Sequence, residues 1–137
     1  MAGMADVTAT SFSAHLPYDS SAAATARRLV SELVRRCRPS NELVDDATLV
    51  VHELVVNGLT HGAPDEHNQI EVSGQVADDE LVISVVDQGH RGTVAARPFT
   101  DDQTHGRGLS IVAMLSNSWA VDRSSGTRVS ARLPPIA

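Results

Sequence analysis

The stretch Glu53-Leu54-Val55-Val56-Asn57-Gly58-Leu59-Thr60-His61 sets three polar side chains, Glu53, Asn57 and His61, into an otherwise apolar run. Residues four apart share one face of a helix, so these three form a polar line. Around them Leu43, Ala47, Val50, Val51, Leu54 and Val55 recur at helical spacing, which predicts a helix from Glu42 to about Leu59 capped by Ser40 or Asn41. A polar line beside a core needs water or a ligand to satisfy it. The amide oxygen of Asn57 is a hard neutral donor suited to Mg²⁺, and Glu53 suits the acceptance of a proton from a hydroxyl attacking a phosphate. Taken alone, the same spacing equally describes a solvated helix edge.

Working outward, the flanking segments alternate between strand and helix periods. Phe12, Ala14 and Leu16 alternate with polar residues ahead of Pro17, a short strand. Asp19, Ser20 and Ser21 offer caps for a helix running to about Arg38, whose apolar stripe is Ala22, Ala26, Leu29, Val30, Leu33 and Val34. Its opposite face carries Arg27, Arg28, Arg35 and Arg36, a solvated surface or a partner surface, with Arg27 and Arg28 the nominees for the latter. After a polar turn at residues 62–68, Ile70 to Gly74 and Leu81 to Val86 read as adjacent antiparallel strands joined at Asp78 and Asp79. Gln88 to His105 reads as a loop, Leu109 to Leu115 as a third helix, and Trp119 to Asp122 and Thr127 to Leu133 as two last strands about the turn Ser124-Ser125-Gly126. Met1 to Thr10 show no period and read as a frayed lead-in. Helices interleaved with mostly antiparallel strands predict an α/β sandwich with helices on one sheet face.

Composition bounds the function. A chain of 137 residues with 42% apolar and 20% charged residues is one globular domain. The net charge of −6 argues against general nucleic-acid binding and leaves proteins as the expected large partners. All eleven basic residues are arginine, which excludes a Walker-type lysine loop and Schiff-base chemistry. No apolar run approaches the roughly 20 residues of a membrane span, so a cytoplasmic protein without a membrane partner is expected. Cys37 stands alone, a free thiol with no C-x-x-C partner. His52-Glu53 opens an H-E-x-x run, but Val56 takes the second histidine's place, so a zinc-protease helix is unsupported; Ser110 lacks a G-x-S-x-G setting.

Three further elements suit a nucleotide. Asp87-Gln88-Gly89 ends the apolar strand, where a buried carboxylate accepts an adenine amino group and Gly89 permits close approach; an ordinary turn has the same composition. Gly106-Arg107-Gly108-Leu109 opens the third helix, a backbone N–H cradle for phosphate or a plain loop. Gly126-Thr127 opens the last strand, with a hydroxyl able to donate to or accept from a ring nitrogen or water.

In order and spacing, these elements resemble the gyrase/Hsp90/histidine-kinase/MutL (GHKL) ATPases: Glu53 to His61 as the N box, Asp87 to Gly92 as the G1 box, Gly106 to Gly108 as the G2 box, then Gly126-Thr127. The short lid, the lack of a phosphoacceptor helix pair and the run L-P-x-D-x-x-x-x-x-x-A-R-R look like the stand-alone anti-sigma-factor serine kinases. The resemblance covers Phe12 to Leu133 and implies a Bergerat-type two-layer sandwich over 12–134, with a mixed, mostly antiparallel sheet, three main helices on one face and a flexible N-terminus at 1–11. It implies ATP and Mg²⁺ as cofactors, Asn57 holding the metal, Glu53 as base or orienter, and Asp87 with Gly89 recognising adenine. It further implies Gly106, Gly108 and Leu109 around the phosphates and Thr127 supporting the adenine contact. The implied partners are a sigma factor, an antagonist of the STAS-domain type and a second copy in a homodimer. One departure stands out: Arg91 takes the place of the second glycine of D-x-G-x-G, with Gly92 one residue later. It favours a rival reading, a non-catalytic anti-sigma module; a detached histidine-kinase catalytic domain is a second rival.

Overall fold

The computed structural model describes residues 5–7, 10–37, 41–78, 80–89 and 106–133. Nine elements follow one another: β1 (Ala5–Val7), β2 (Ser11–Pro17), α1 (Ser21–Arg36), α2 (Asn41–His61), β3 (Gln69–Ala77), β4 (Glu80–Asp87), α3 (Gly106–Leu115), β5 (Ser118–Asp122) and β6 (Thr127–Leu133). The strands form one six-stranded sheet in the order β1-β2-β3-β4-β6-β5. Among the described residues all five pairings are antiparallel, in a sheet that the resemblance implied to be mostly so.

Period-two alternation fixes which sheet face is buried. Phe12, Ala14 and Leu16 of β2, Ile70 and Val72 of β3, Leu81, Ile83 and Val85 of β4, and Val129, Ala131 and Leu133 of β6 all point into one core. The opposite face carries a cross-strand row of serines, with Ser13 opposite Ser73, Ser73 opposite Ser84 and Ser84 opposite Ser130. Ser84 and Ser130 hydroxyls meet at 2.8 Å there.

Helices α1 and α2 cover the buried face and pack along one another, and α3 packs against α2. In α1 the buried residues Ala22, Ala26, Leu29, Val30, Leu33 and Val34 are the stripe expected from sequence. The start of α1 is held by Asp19, whose Oδ1 accepts the Ser21 N–H at 2.9 Å and the Ser21 hydroxyl; Ser20 makes no side-chain cap. In α2 the buried line is Val44, Ala47, Val50, Val51, Leu54 and Val55, with Leu43 at its edge. This helix runs to His61, two residues past the expected end at Leu59, and Gly62 N–H closes its last turn on Gly58 C=O at 2.9 Å.

Two expectations need correction. Ala5–Val7, expected as part of a frayed lead-in, pairs with β2 in the register Ala5↔Ala14 to Val7↔Phe12, because an edge strand is recruited by backbone hydrogen bonds that need no side-chain period. Arg27, nominated for a partner surface on the exposed face of α1, is half-buried and turned to α2, where Nη1 lies 2.6 Å from His52 Nδ1. Arg28 does lie on the surface, 3.5 Å from Glu32. No helix among the described residues is long and apolar enough to cross a membrane.

Candidate functional site

The C-terminal end of α2, the end of β4 and the start of β6 come together at one edge of the sandwich. Asp87 and Thr127 are direct partners across the β4–β6 ladder, and they are buried to 2% and 0% exposure in a core otherwise built of aliphatic side chains. A polar pair so deep needs partners. Asp87 Oδ1 accepts the N–H of Gly89 at 2.7 Å and that of Ala63 at 3.4 Å, and the Thr127 hydroxyl donates to Gly89 C=O at 2.7 Å. Gln88 N–H in turn donates to Ala63 C=O at 2.9 Å, so the turn after α2 and the turn after β4 clasp each other.

Glycine makes that clasp possible at Gly62, where a methyl group would overlap the Asp87 carboxyl group. Gly126 supplies the other special position: its φ of +80° lies in the left-handed region, and a side chain there would meet Asp87 C=O at 2.5 Å. Gly62 thus lies against the Asp87 carboxyl group and Gly126 against its backbone carbonyl. The space beside Gly58 leads to the same carboxyl group, since a methyl there would lie 3.6 Å from Asp87 Oδ2. Gly58 follows Asn57 directly, so the N-box helix and the strand-end aspartate meet at one end of the molecule.

Glu53, Asn57 and His61 are each half-buried along the same helix, with the Glu53 side chain 20% exposed. A half-buried acid at an edge of this kind can bind, orient or take a proton from a group that approaches from solvent. Gly106 and Gly108 lie in the first turn of α3, and Leu109 packs half-buried against the core. Arg91 and Gly92 lie outside the described residues. Thr127 was expected to donate or accept; with its proton directed to Gly89 C=O, it faces any ligand as an acceptor.

Sequence reasoning missed several contributors. Tyr18 donates its hydroxyl to Gly58 C=O at 2.7 Å and approaches Leu59 C=O at 3.2 Å, holding carbonyls of the last turn of α2. Gly62 and Ala63 form the wall around Asp87; a glycine directly after a helix-ending histidine was the available signal. Nothing in the spacing announced Tyr18, which acts across forty residues of chain.

Comparison with known proteins gives this arrangement its family. Residues 16–133 match the model of the histidine kinase-like ATPase domain. Over 64 residues, 47% of this chain and 45% of the relative, the sequence is 32% identical to an anti-sigma F factor of Clostridium acetobutylicum, so the aligned stretch spans less than half of that protein. The fold is similar to a structure of the RsbU and RsbW domains of Rv1364c from Mycobacterium tuberculosis, with a TM-score of 0.70 at 20% identity, covering 91% of this chain and 32% of that one. It is also similar to the histidine kinase domain of a blue-light activated histidine kinase from Erythrobacter litoralis, with a TM-score of 0.55 at 18% identity, covering 95% of this chain and 65% of that one. With its sheet, its three helices and 118 consecutive residues from 16 to 133 accounted for, the chain belongs to the histidine kinase-like ATPase domain family.

Proposed function

We propose that this chain is a cytoplasmic anti-sigma factor that binds ATP with Mg²⁺ and transfers the γ-phosphoryl group to a serine of an antagonist protein of the STAS-domain type, alternating between that antagonist and a sigma factor. The observation that carries the reading is the buried Asp87–Gly89–Thr127 knot, closed by Gly62 and Ala63 at the end of the helix bearing Glu53 and Asn57. Similarity to an anti-sigma F factor and to a chain containing an RsbW domain supports the choice of branch.

The residues fit such a ligand. Asp87 offers a buried acceptor for an adenine amino group, with Gly58 and Gly62 letting the end of α2 and its following turn pack close to that carboxylate. Thr127 accepts from the same edge of the base or from a bridging water. Asn57 would hold Mg²⁺, which when bound would neutralise the negative charge of the phosphates. Gly106, Gly108 and Leu109, with the positive end of α3, would line the phosphates. Glu53 accepts the proton of the attacking serine hydroxyl as its oxygen bonds to phosphorus and the bond to the departing ADP oxygen breaks. A homodimer is the assembly we propose for this switch.

The test is incubation with purified candidate antagonists and labelled ATP. Acid-stable phosphate on an antagonist serine is expected; no transfer to any antagonist removes the kinase reading. Arg91, in place of the second G1-box glycine, favours one alternative, a module that sequesters its partner without catalysis. Absence of heat on titration with MgATP would favour that alternative.

A further inference from the structure

His52 and Arg27 lie outside the adenine cradle, and the proposed transfer does not use them. His52 immediately precedes Glu53 on α2, and its ring stands between α1 and the candidate base. Arg27 Nη1 of α1 is 2.6 Å from His52 Nδ1. A guanidinium has only donors, so Nδ1 must be the acceptor, and the ring proton then resides on Nε2. A proton on Nδ1 would face a guanidinium N–H at that distance. On the other side of the ring, Nε2 is 3.9 Å from Glu53 Oε2. That is longer than a hydrogen bond but close enough for the N–H dipole to attract the carboxylate. Both groups are partly withdrawn from water, the His52 side chain to 36% exposure and Glu53 to 20%, where such a contact is screened less than on open surface.

We propose that Arg27 and His52 are positioning residues for Glu53: Arg27 fixes the imidazole as the Nε2–H tautomer, and that N–H steers the Glu53 carboxylate toward the helix face it shares with Asn57. The catalytic consequence rests on the reading of Glu53 as the base. The tautomer and its link to Glu53 do not. A plain Arg27–His52 clamp between α1 and α2 would share the tautomer but would need no coupling to Glu53.

Two measurements on the full chain separate these roles. Imidazole ¹⁵N NMR is expected to show His52 protonated on Nε2. The Arg27→Ala substitution should bring in the Nδ1–H form, and Glu53→Gln should move the Nε2 resonance. A proton on Nδ1 in the parent, or spectra indifferent to either substitution, overturns the proposal without reference to activity. In the transfer assay, His52→Leu should lower the turnover number about tenfold with the KM for ATP unchanged, the size of one lost charge-assisted contact. His52→Gln supplies an acceptor for Arg27 and an N–H for Glu53, and should return the rate to within about twofold of the parent. A parental rate in His52→Leu, or no recovery in His52→Gln, overturns the positioning role. Undiminished transfer by Glu53→Ala alone would instead remove the base assignment, leaving the NMR result to decide the Arg27–His52–Glu53 link.

Discussion

Thr127 has no water-exposed surface, and its hydroxyl donates to the carbonyl of Gly89 at 2.7 Å. Thr127→Val keeps the shape and strands that carbonyl, which should cost about 1–3 kcal/mol in chemical denaturation. An unchanged midpoint would mean that water replaces the hydroxyl. Gly62→Ala acts on the same knot from the other side. Its methyl overlaps the Asp87 carboxyl group, so either the turn or the aspartate must shift, and MgATP affinity should fall at least about tenfold in a titration. On α2, Glu53→Ala should retain nucleotide and lose transfer, whereas Asn57→Ala should weaken MgATP binding itself. Equal transfer rates for Glu53→Ala and the parent would show that positioning alone carries the reaction.

At the scale of elements, α1 is anchored at its start by one carboxylate. The Ser21 hydroxyl, and then the Ser21 N–H, hold Asp19 below its ordinary value of 3.8. A group whose folded value is depressed contributes stability that is present above the unfolded value and is lost as pH falls through the folded one. The gap in stability between the parent and Asp19→Ala should therefore be full near neutrality and shrink as the pH is taken below 3.8. A gap independent of pH would assign the effect to helix propensity instead. Helix α2 joins core to site: Val51, Leu54 and Val55 are buried while Glu53 and Asn57 keep contact with solvent, as the apolar and polar spacings in that stretch require. The i, i+4 spacing already set His61 on its polar line, but the contacts that hold its last turn, from Tyr18 and from the clasp with Gln88, are remote in sequence and were not legible.

For the molecule as a whole, the layered architecture was legible because most long elements carry a clean period. The strands β2, β3 and β6 alternate and α1 and α2 repeat at helical spacing, whereas β4 reads as a strand from its continuous β-branched apolar run. Strand β1 was not, since pairing at a sheet edge leaves no hydrophobic signature. Of the candidate site, Asp87, Gly89 and Thr127 were legible as separate turn signals, and folding joins them by direct hydrogen bonds. The contributions of Gly62 and Ala63 were hidden because they act through close backbone approach and amide groups rather than through side-chain chemistry. The contact of Arg27 with His52 was hidden for a different reason: helical periodicity groups Arg27 with the polar face of α1, and its partner lies 25 residues away on α2. The measurement that bears most directly on an adenine-and-phosphate pocket is calorimetric titration of the parent and of Asp87→Ala with MgATP and with MgGTP. Saturable heat for MgATP alone, abolished in Asp87→Ala at unchanged fold by circular dichroism, is the expected result. Equal heats for the two nucleotides, or MgATP binding that survives loss of the carboxylate, would contradict the assignment.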